Sequence, residues 1–220
     1  MKILNLYAGI GGNRKLWTDV DVTAVEIKED VASIYKKLYP TDNVVIADAH
    51  KYLLDHFEDG FDFIWCSPPC QSHSNTNHFL YGQGVRRYPD IKLYEEILFL
   101  KHWYKGKWVV ENVKPYYEPL IKPYICGRHC FWSNFVISDL PINYANFGTW
   151  NRNRRESTQR KAIIREAQIP ELIGLLGIDL KDIRLKNKRQ ILRNAVLPEL
   201  GKHVFDCAFR VKQKTFEVIS

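Results

Sequence analysis

The sequence predicts an α/β protein: a doubly wound, mostly parallel sheet covered by helices on both faces, with a small basic module appended to it. Three observations carry this. Short runs that are apolar on both faces alternate with segments of helical spacing through the first half of the chain. Each apolar run ends on a residue of chemical use, as expected where ligands collect at the carboxyl edge of such a sheet. The second half then changes character, becoming rich in Arg, Lys and Asn.

The strand-like runs fall at 3–8, 22–27, 44–47, 61–66 and 108–110. Between them, Val31, Ile34, Tyr35 and Leu38 keep helical spacing before Pro40, and Tyr94, Ile97, Leu98 and Trp103 do so before "GKWVV". The groups that follow the runs are Gly9, Glu26, Asp48, the segment 67–70, and Glu111 with Asn112. A main domain is therefore expected over 1–140. The segment 141–188, with Arg152, Arg154, Arg155, Arg160, Lys161 and Arg165, reads as a small module whose cations could contact phosphates or simply form a solvated basic loop. Leu200, Val204, Cys207 and Ala208 recur at helical spacing after Pro198, so 189–220 is expected to return to the main domain.

Composition bounds the function. A chain of 220 residues suits one domain with a small insertion, and 45% hydrophobic with 26% charged residues excludes disordered and fibrous classes. A net charge of +7, from 32 Lys and Arg against 25 Asp and Glu, favours a polyanionic partner. Five cysteines without regular spacing fit a reducing compartment rather than a disulfide framework. No apolar run approaches the ~18 residues of a membrane span, and the N-terminus has no cleavage-site pattern. A cytoplasmic protein without membrane association is expected.

In "NLYAGIGGNRKLW", Gly9, Gly11 and Gly12 are expected in the turn between the first strand and a first helix. There the backbone can approach a ligand closely and the helix N-terminus offers free N–H groups. A tight turn without a ligand would look the same. Glu26, 17 residues beyond Gly9, is placed to accept from both ribose hydroxyls of a nucleoside, and Asp48 to accept from an adenine amino group, unless both are merely solvated strand ends. S-adenosyl-L-methionine is preferred to a dinucleotide because G-I-G-G lacks the third glycine of the dinucleotide fingerprint.

Cys70 stands behind Pro68 and Pro69 at the end of "FDFIWCSPPC", outside the apolar run that holds Cys66. A core-filling cysteine belongs inside such a run, so Cys70 is a candidate nucleophile, with an idle turn cysteine as the alternative. Glu111 closes a buried strand, a setting that raises a carboxyl pKa and suits it to donate a proton, though it could instead cap a helix. Zinc is not expected from Cys66, Cys70, Cys126 and Cys130 with His73 and His129, because Cys66 closes a buried strand and Cys70 has other work.

In order along nearly the whole chain, "YAGIGG", "SPPCQSHS", "ENV" and "RNAVLPELG" resemble the cofactor, nucleophile, glutamate and C-terminal motifs of DNA cytosine-5 methyltransferases, most like the compact phage and bacterial enzymes. The resemblance implies a Rossmann-like S-adenosylmethionine-dependent methyltransferase fold. It implies Cys70 as the thiolate that adds to cytosine C6, Glu111 as the group that holds N3 and the exocyclic amine, and a base flipped out of double-stranded DNA. It also implies a cofactor pocket from Tyr7, Ala8, Gly9, Gly11, Gly12, Glu26, Ile27, Asp48, Ala49, Pro68, Leu93, Asn194 and Val196, with Asp90 nearby. The polar stretch 71–90 has the length and glycines of a loop that could close over the base. The usual Gln-x-Arg-x-Arg motif is degenerate: "CGRHCFWSNF" supplies Arg128 for the first arginine and Cys130 for the second, and Arg155 of "NRNRRE" is the alternative to Arg128. Action as a monomer is the simplest expectation, and the resemblance leaves room for a cognate restriction endonuclease. A tRNA cytosine-5 methyltransferase and a catalytically inactive DNA-binding homologue remain alternatives.

Overall fold

In the computed structural model, residues 1–75, 77–141, 168–180, 183 and 187–210 are described. Five parallel strands form the body of the sheet: β1 (Lys2–Leu6), β2 (Asp21–Val25), β3 (Asn43–Val45), β4 (Phe63–Cys66) and β5 (Lys107–Val113). An antiparallel pair, β6 (Tyr124–Cys126) and β7 (His129–Ser133), completes it, in the order β3-β2-β1-β4-β5-β7-β6. The helices are α1 (Glu29–Leu38), α2 (Ala49–His56), α3 (Asn77–Tyr81), α4 (Lys92–Trp103), α5 (168–176), α6 (Lys188–Asn194) and α7 (Pro198–Phe209).

Local chemistry explains most element ends. α1 opens with Glu29 and Asp30 and closes with Lys36 and Lys37, which complements the helix dipole. Asp48 caps α2 by accepting the Lys51 N–H at 2.9 Å. Pro198 starts α7, where its missing N–H costs nothing.

Because β1, β4 and β5 are buried on both faces, the sheet carries two apolar layers. On one face, Trp17, Tyr35 of α1, Leu172 and Leu176 of α5, and Leu200 and Val204 of α7 pack with Ile3, Phe63, Trp65 and Phe131. On the other, Leu53 of α2 and Leu93, Ile97 and Leu100 of α4 cover Leu4, Leu6, Ile64 and Val110. Buried Ile178 and Leu180 join the first layer, so the described part of the 141–188 segment rests on the main core. The predicted doubly wound α/β sheet is observed. α7 buries Leu200, Val204, Cys207 and Ala208, the four positions picked out by helical spacing.

Two features differ from the sequence reading. No regular helix follows the glycines. Residues 9–17 form successive tight turns, with Gly11 N–H bonded to Ala8 O at 2.9 Å, Arg14 N–H to Gly11 O at 3.2 Å and Trp17 N–H to Arg14 O at 3.1 Å. Arg14 holds this conformation from outside: its guanidinium donates to Trp17 O at 2.7 Å and forks onto Asp42 at 2.9 and 3.0 Å. The second feature is the β6–β7 hairpin, which turns on Gly127 at φ 58°, the left-handed conformation a two-residue hairpin needs from glycine. Among the described residues no helix is long and apolar enough to cross a membrane.

Candidate active site

Every parallel strand runs toward one edge, where Gly9 follows β1, Glu26 follows β2, Cys70 follows β4 and Glu111 lies near the end of β5. After β1, Gly9 has φ 55° and a Cβ built on it would meet nothing within 4 Å, so the turn borders open space. Its N–H donates to Glu26 Oε2 at 3.0 Å, while Glu26 Oε1 accepts the Lys28 N–H at 3.0 Å. Glu26 thus braces the turn and stays half-exposed beside it. Gly11 and Gly12 serve a different purpose, close packing. A Cβ on Gly11 would lie 2.4 Å from the Tyr39 ring, and one on Gly12 would lie 2.3 Å from Val196 O.

Asp48 is exposed at the start of α2, and Ile27 is 60% exposed beside Glu26. Sequence reasoning passes over Ile46, 55% exposed after β3, which with Ile27 gives this edge two apolar side chains flanking its carboxylates. Pro68, Ala8 and Val196 are buried behind the edge, Tyr7 is half-buried, and Asn194 is exposed at the end of α6. Ala49 and Leu93 belong to the core layer beneath.

Tyr7 reaches down to a buried cluster. Its hydroxyl donates to Glu96 Oε1, the Cys66 thiol donates to Glu96 Oε2 at 2.8 Å, and His50 Nδ1 lies 3.2 Å from Oε1. Burial raises the Glu96 carboxyl pKa and holds Cys66 as a neutral thiol, so Cys66 is a core donor.

Cys70 follows β4 on a segment bolted to β5. Asn112 Nδ2 donates to Pro68 O at 3.0 Å, and Asn112 Oδ1 accepts the Val113 N–H at 2.9 Å. The Cys70 carbonyl then accepts N–H groups of His73 (3.1 Å) and Ser74 (3.0 Å), which turns the chain and leaves Cys70 half-buried. Burial pushes its thiol pKa above the ordinary value, the Glu111 charge pushes the same way, and a bond to its own backbone N–H and the Arg128 charge oppose them. Cys70, Glu111 and Arg128 therefore share one electrostatic neighbourhood.

Glu111 is buried near the end of β5, where His129 Nδ1 lies 2.6 Å from its Oε1. Arg128, in the β6–β7 turn, donates from Nε to His129 Nε2 at 3.3 Å and from Nη2 to Arg193 O at 3.2 Å. Cys130, at the family's second arginine position, is buried, and burial with the Glu111 charge lifts its pKa to about 11. The stretch 71–90 contains α3 and is tied across to the segment after β5. His73 Nδ1 lies 2.6 Å from the Tyr117 hydroxyl, Ser74 bridges to Pro115, and the Tyr116 hydroxyl donates to Arg87 O at 2.9 Å. Arg155 and the other cations of the basic cluster, from Arg152 to Arg165, lie outside the described residues. Among the described residues, no three His, Cys, Asp or Glu side chains group as a metal site.

The sheet order, with β7 antiparallel to β5, is that of a Rossmann-like methyltransferase fold. Among solved structures, Entamoeba histolytica methyltransferase EhMeth is similar over 95% of this chain and 98% of its own, at 12% identity and a TM-score of 0.53, which establishes the common fold. A triple mutant of Spodoptera frugiperda DNMT2 matches at 28% identity, over 51% of this chain and 35% of its own, with a TM-score of 0.36. A SAM-dependent methyltransferase from Agrobacterium tumefaciens matches at 15% identity, over 52% and 39% of the two chains, with a TM-score of 0.37. A comparison with curated proteins finds none that matches significantly. The family model of C-5 cytosine-specific DNA methylases matches residues 1–116, and the chain belongs to that family.

Proposed function

We propose that the protein transfers a methyl group from S-adenosyl-L-methionine to C5 of cytosine in double-stranded DNA, through a covalent bond between Cys70 and C6. The observation that carries this reading is the convergence of Cys70, Glu111 and Arg128 at the carboxyl edge, where the charges of Glu111 and Arg128 both act on the Cys70 thiol.

The residues present suit the cofactor. Gly9 opens onto free space beside the Glu26 carboxylate, and Ile27 and Ile46 offer apolar surface next to Glu26 and Asp48. Bound there, S-adenosylmethionine supplies an electrophilic methyl group. Glu26 would hold the ribose, Asp48 the adenine amine, and Tyr7, Asn194 and Val196 the methionine side.

The chain's own groups supply the rest. Cytosine C5 is a weak nucleophile, and addition of the Cys70 sulfur to C6 gives it enamine character. The ring gains an electron pair in that step, and a proton held by Glu111 toward N3 neutralises it. Burial, and after it the Glu111 charge, hold the Cys70 thiol above its ordinary pKa, and the Arg128 charge opposes them, so Arg128 favours the thiolate that attacks C6. After methylation, loss of the C5 proton to a base breaks the Cys70–C6 bond and restores the thiolate. Because C6 is inaccessible within a stacked duplex, the base must leave the stack. The charge of +7 supports a nucleic-acid partner.

The test is transfer of labelled methyl from S-adenosylmethionine to unmethylated duplex DNA and to tRNA, by the wild-type protein and by Cys70→Ala. Label at DNA cytosine C5 that is lost in the variant is expected. Label confined to tRNA would move the substrate and keep the chemistry. No label in either, with cofactor binding intact, would identify an inactive homologue.

A further inference from the structure

We propose that His129 is a positioning residue that fixes which oxygen of Glu111 carries the catalytic proton. The inference rests on the reading of Glu111 as the group facing N3, and on the contacts of His129 for everything else. His129 is 3% exposed and Glu111 6% exposed. In the antiparallel β5–β7 ladder Glu111 pairs with Phe131 and Val113 with His129, so Glu111 and His129 are diagonal neighbours on one face of the sheet.

The two ring nitrogens of His129 have different partners. Arg128 Nε can only donate, and it lies 3.3 Å from His129 Nε2, so that nitrogen must present its lone pair. The ring proton therefore resides on Nδ1, which donates to Glu111 Oε1 across 2.6 Å. Oε1 is thereby assigned the acceptor role. A proton carried by Glu111 belongs on Oε2, the oxygen left for the base. The residue type matters as well. An arginine placed against this carboxyl would bring a full positive charge to it, whereas an imidazole whose lone pair faces Arg128 gives Oε1 one oriented hydrogen bond. His129 lies between Arg128 and Cys130, in the stretch where this chain departs from the Gln-x-Arg-x-Arg pattern, and it couples Arg128 to Glu111 through one ring.

The experiment pairs long-range 15N NMR of the histidine rings in the wild-type protein with steady-state kinetics on duplex DNA for His129→Leu and His129→Asn. The expected His129 spectrum is that of a neutral ring protonated at Nδ1. His129→Leu should lower kcat by about 10- to 100-fold, the usual loss when a group orienting a reactive ligand is removed, while KM for S-adenosylmethionine stays near wild type. His129→Asn, whose side-chain N–H replaces Nδ1–H, should recover most of that kcat. A ring protonated at Nε2, a His129→Leu enzyme with wild-type kcat, or a loss that Asn does not recover would each overturn the proposal. A wild-type protein without methyl transfer to any nucleic acid would overturn the proposed function, and the spectrum would still decide the tautomer.

Discussion

Cys70 illustrates how a residue's neighbours set its chemistry. Its thiol is raised by burial and by Glu111 and lowered by Arg128, so the charges can be exchanged to test the account. Glu111→Gln should shift the Cys70 thiol pKa downward, and Arg128→Leu should shift it upward. Iodoacetamide alkylation of the Cys70 peptide, followed against pH by mass spectrometry, reads both directions. The wild-type rate should still be rising above pH 8.5, the ordinary midpoint of a free thiol. The other four cysteines are buried, which isolates the signal. Cys70 was legible in the sequence because two prolines separate it from the apolar run. The His129–Glu111 contact was not, because the two residues are 18 apart in sequence and meet only through the β5–β7 register. The Asn112 bolt onto Pro68 was hidden for the same reason.

At the scale of elements, the glycine turn and α7 are built as one unit. Gly12 admits the Val196 carbonyl and Gly201 admits the Asn13 backbone, where added Cβ atoms would lie 2.3 and 2.4 Å away, and Trp17 Nε1 donates to Gly201 O at 3.2 Å. The C-terminal motif "RNAVLPELG" thus has a packing reason for its last glycine. Gly12→Ala and Gly201→Ala should each cost about 1–3 kcal/mol, the usual price of forcing a methyl into a packed interior, and urea unfolding measures it. Asp42→Ala should cost more, about 3–5 kcal/mol, because it strands the buried Arg14 guanidinium without its bidentate partner. Strands apolar on both faces were readable without a structure. The β6–β7 hairpin was not, since β6 is only 3 residues long and the apolar part of β7 is confined to Cys130, Phe131 and Trp132, runs shorter than a strand pattern needs. The helix expected after the glycines gave way to turns because Arg14 is anchored by Asp42, 28 residues away.

At the scale of the whole molecule, a +7 chain carries Cys70 and Glu111 toward the carboxyl ends of its parallel strands, and helices cover both faces of the sheet. A nucleic-acid partner held by such a charge excess should bind less tightly as salt rises, with log affinity falling linearly in log salt. Fluorescence anisotropy of labelled duplex DNA between 50 and 200 mM salt checks this.

The central claim is the bond from Cys70 to cytosine C6, and the most direct measurement is its capture. Duplex DNA containing 5-fluorocytosine blocks the final elimination, because fluorine cannot leave C5 as a cation. Incubation of the protein with this DNA and S-adenosylmethionine, then proteolysis and mass spectrometry, should give a nucleotide adduct on the Cys70 peptide that Cys70→Ala does not form. Methyl transfer to ordinary duplex DNA with no such adduct, or an adduct mapped to another cysteine, would contradict it.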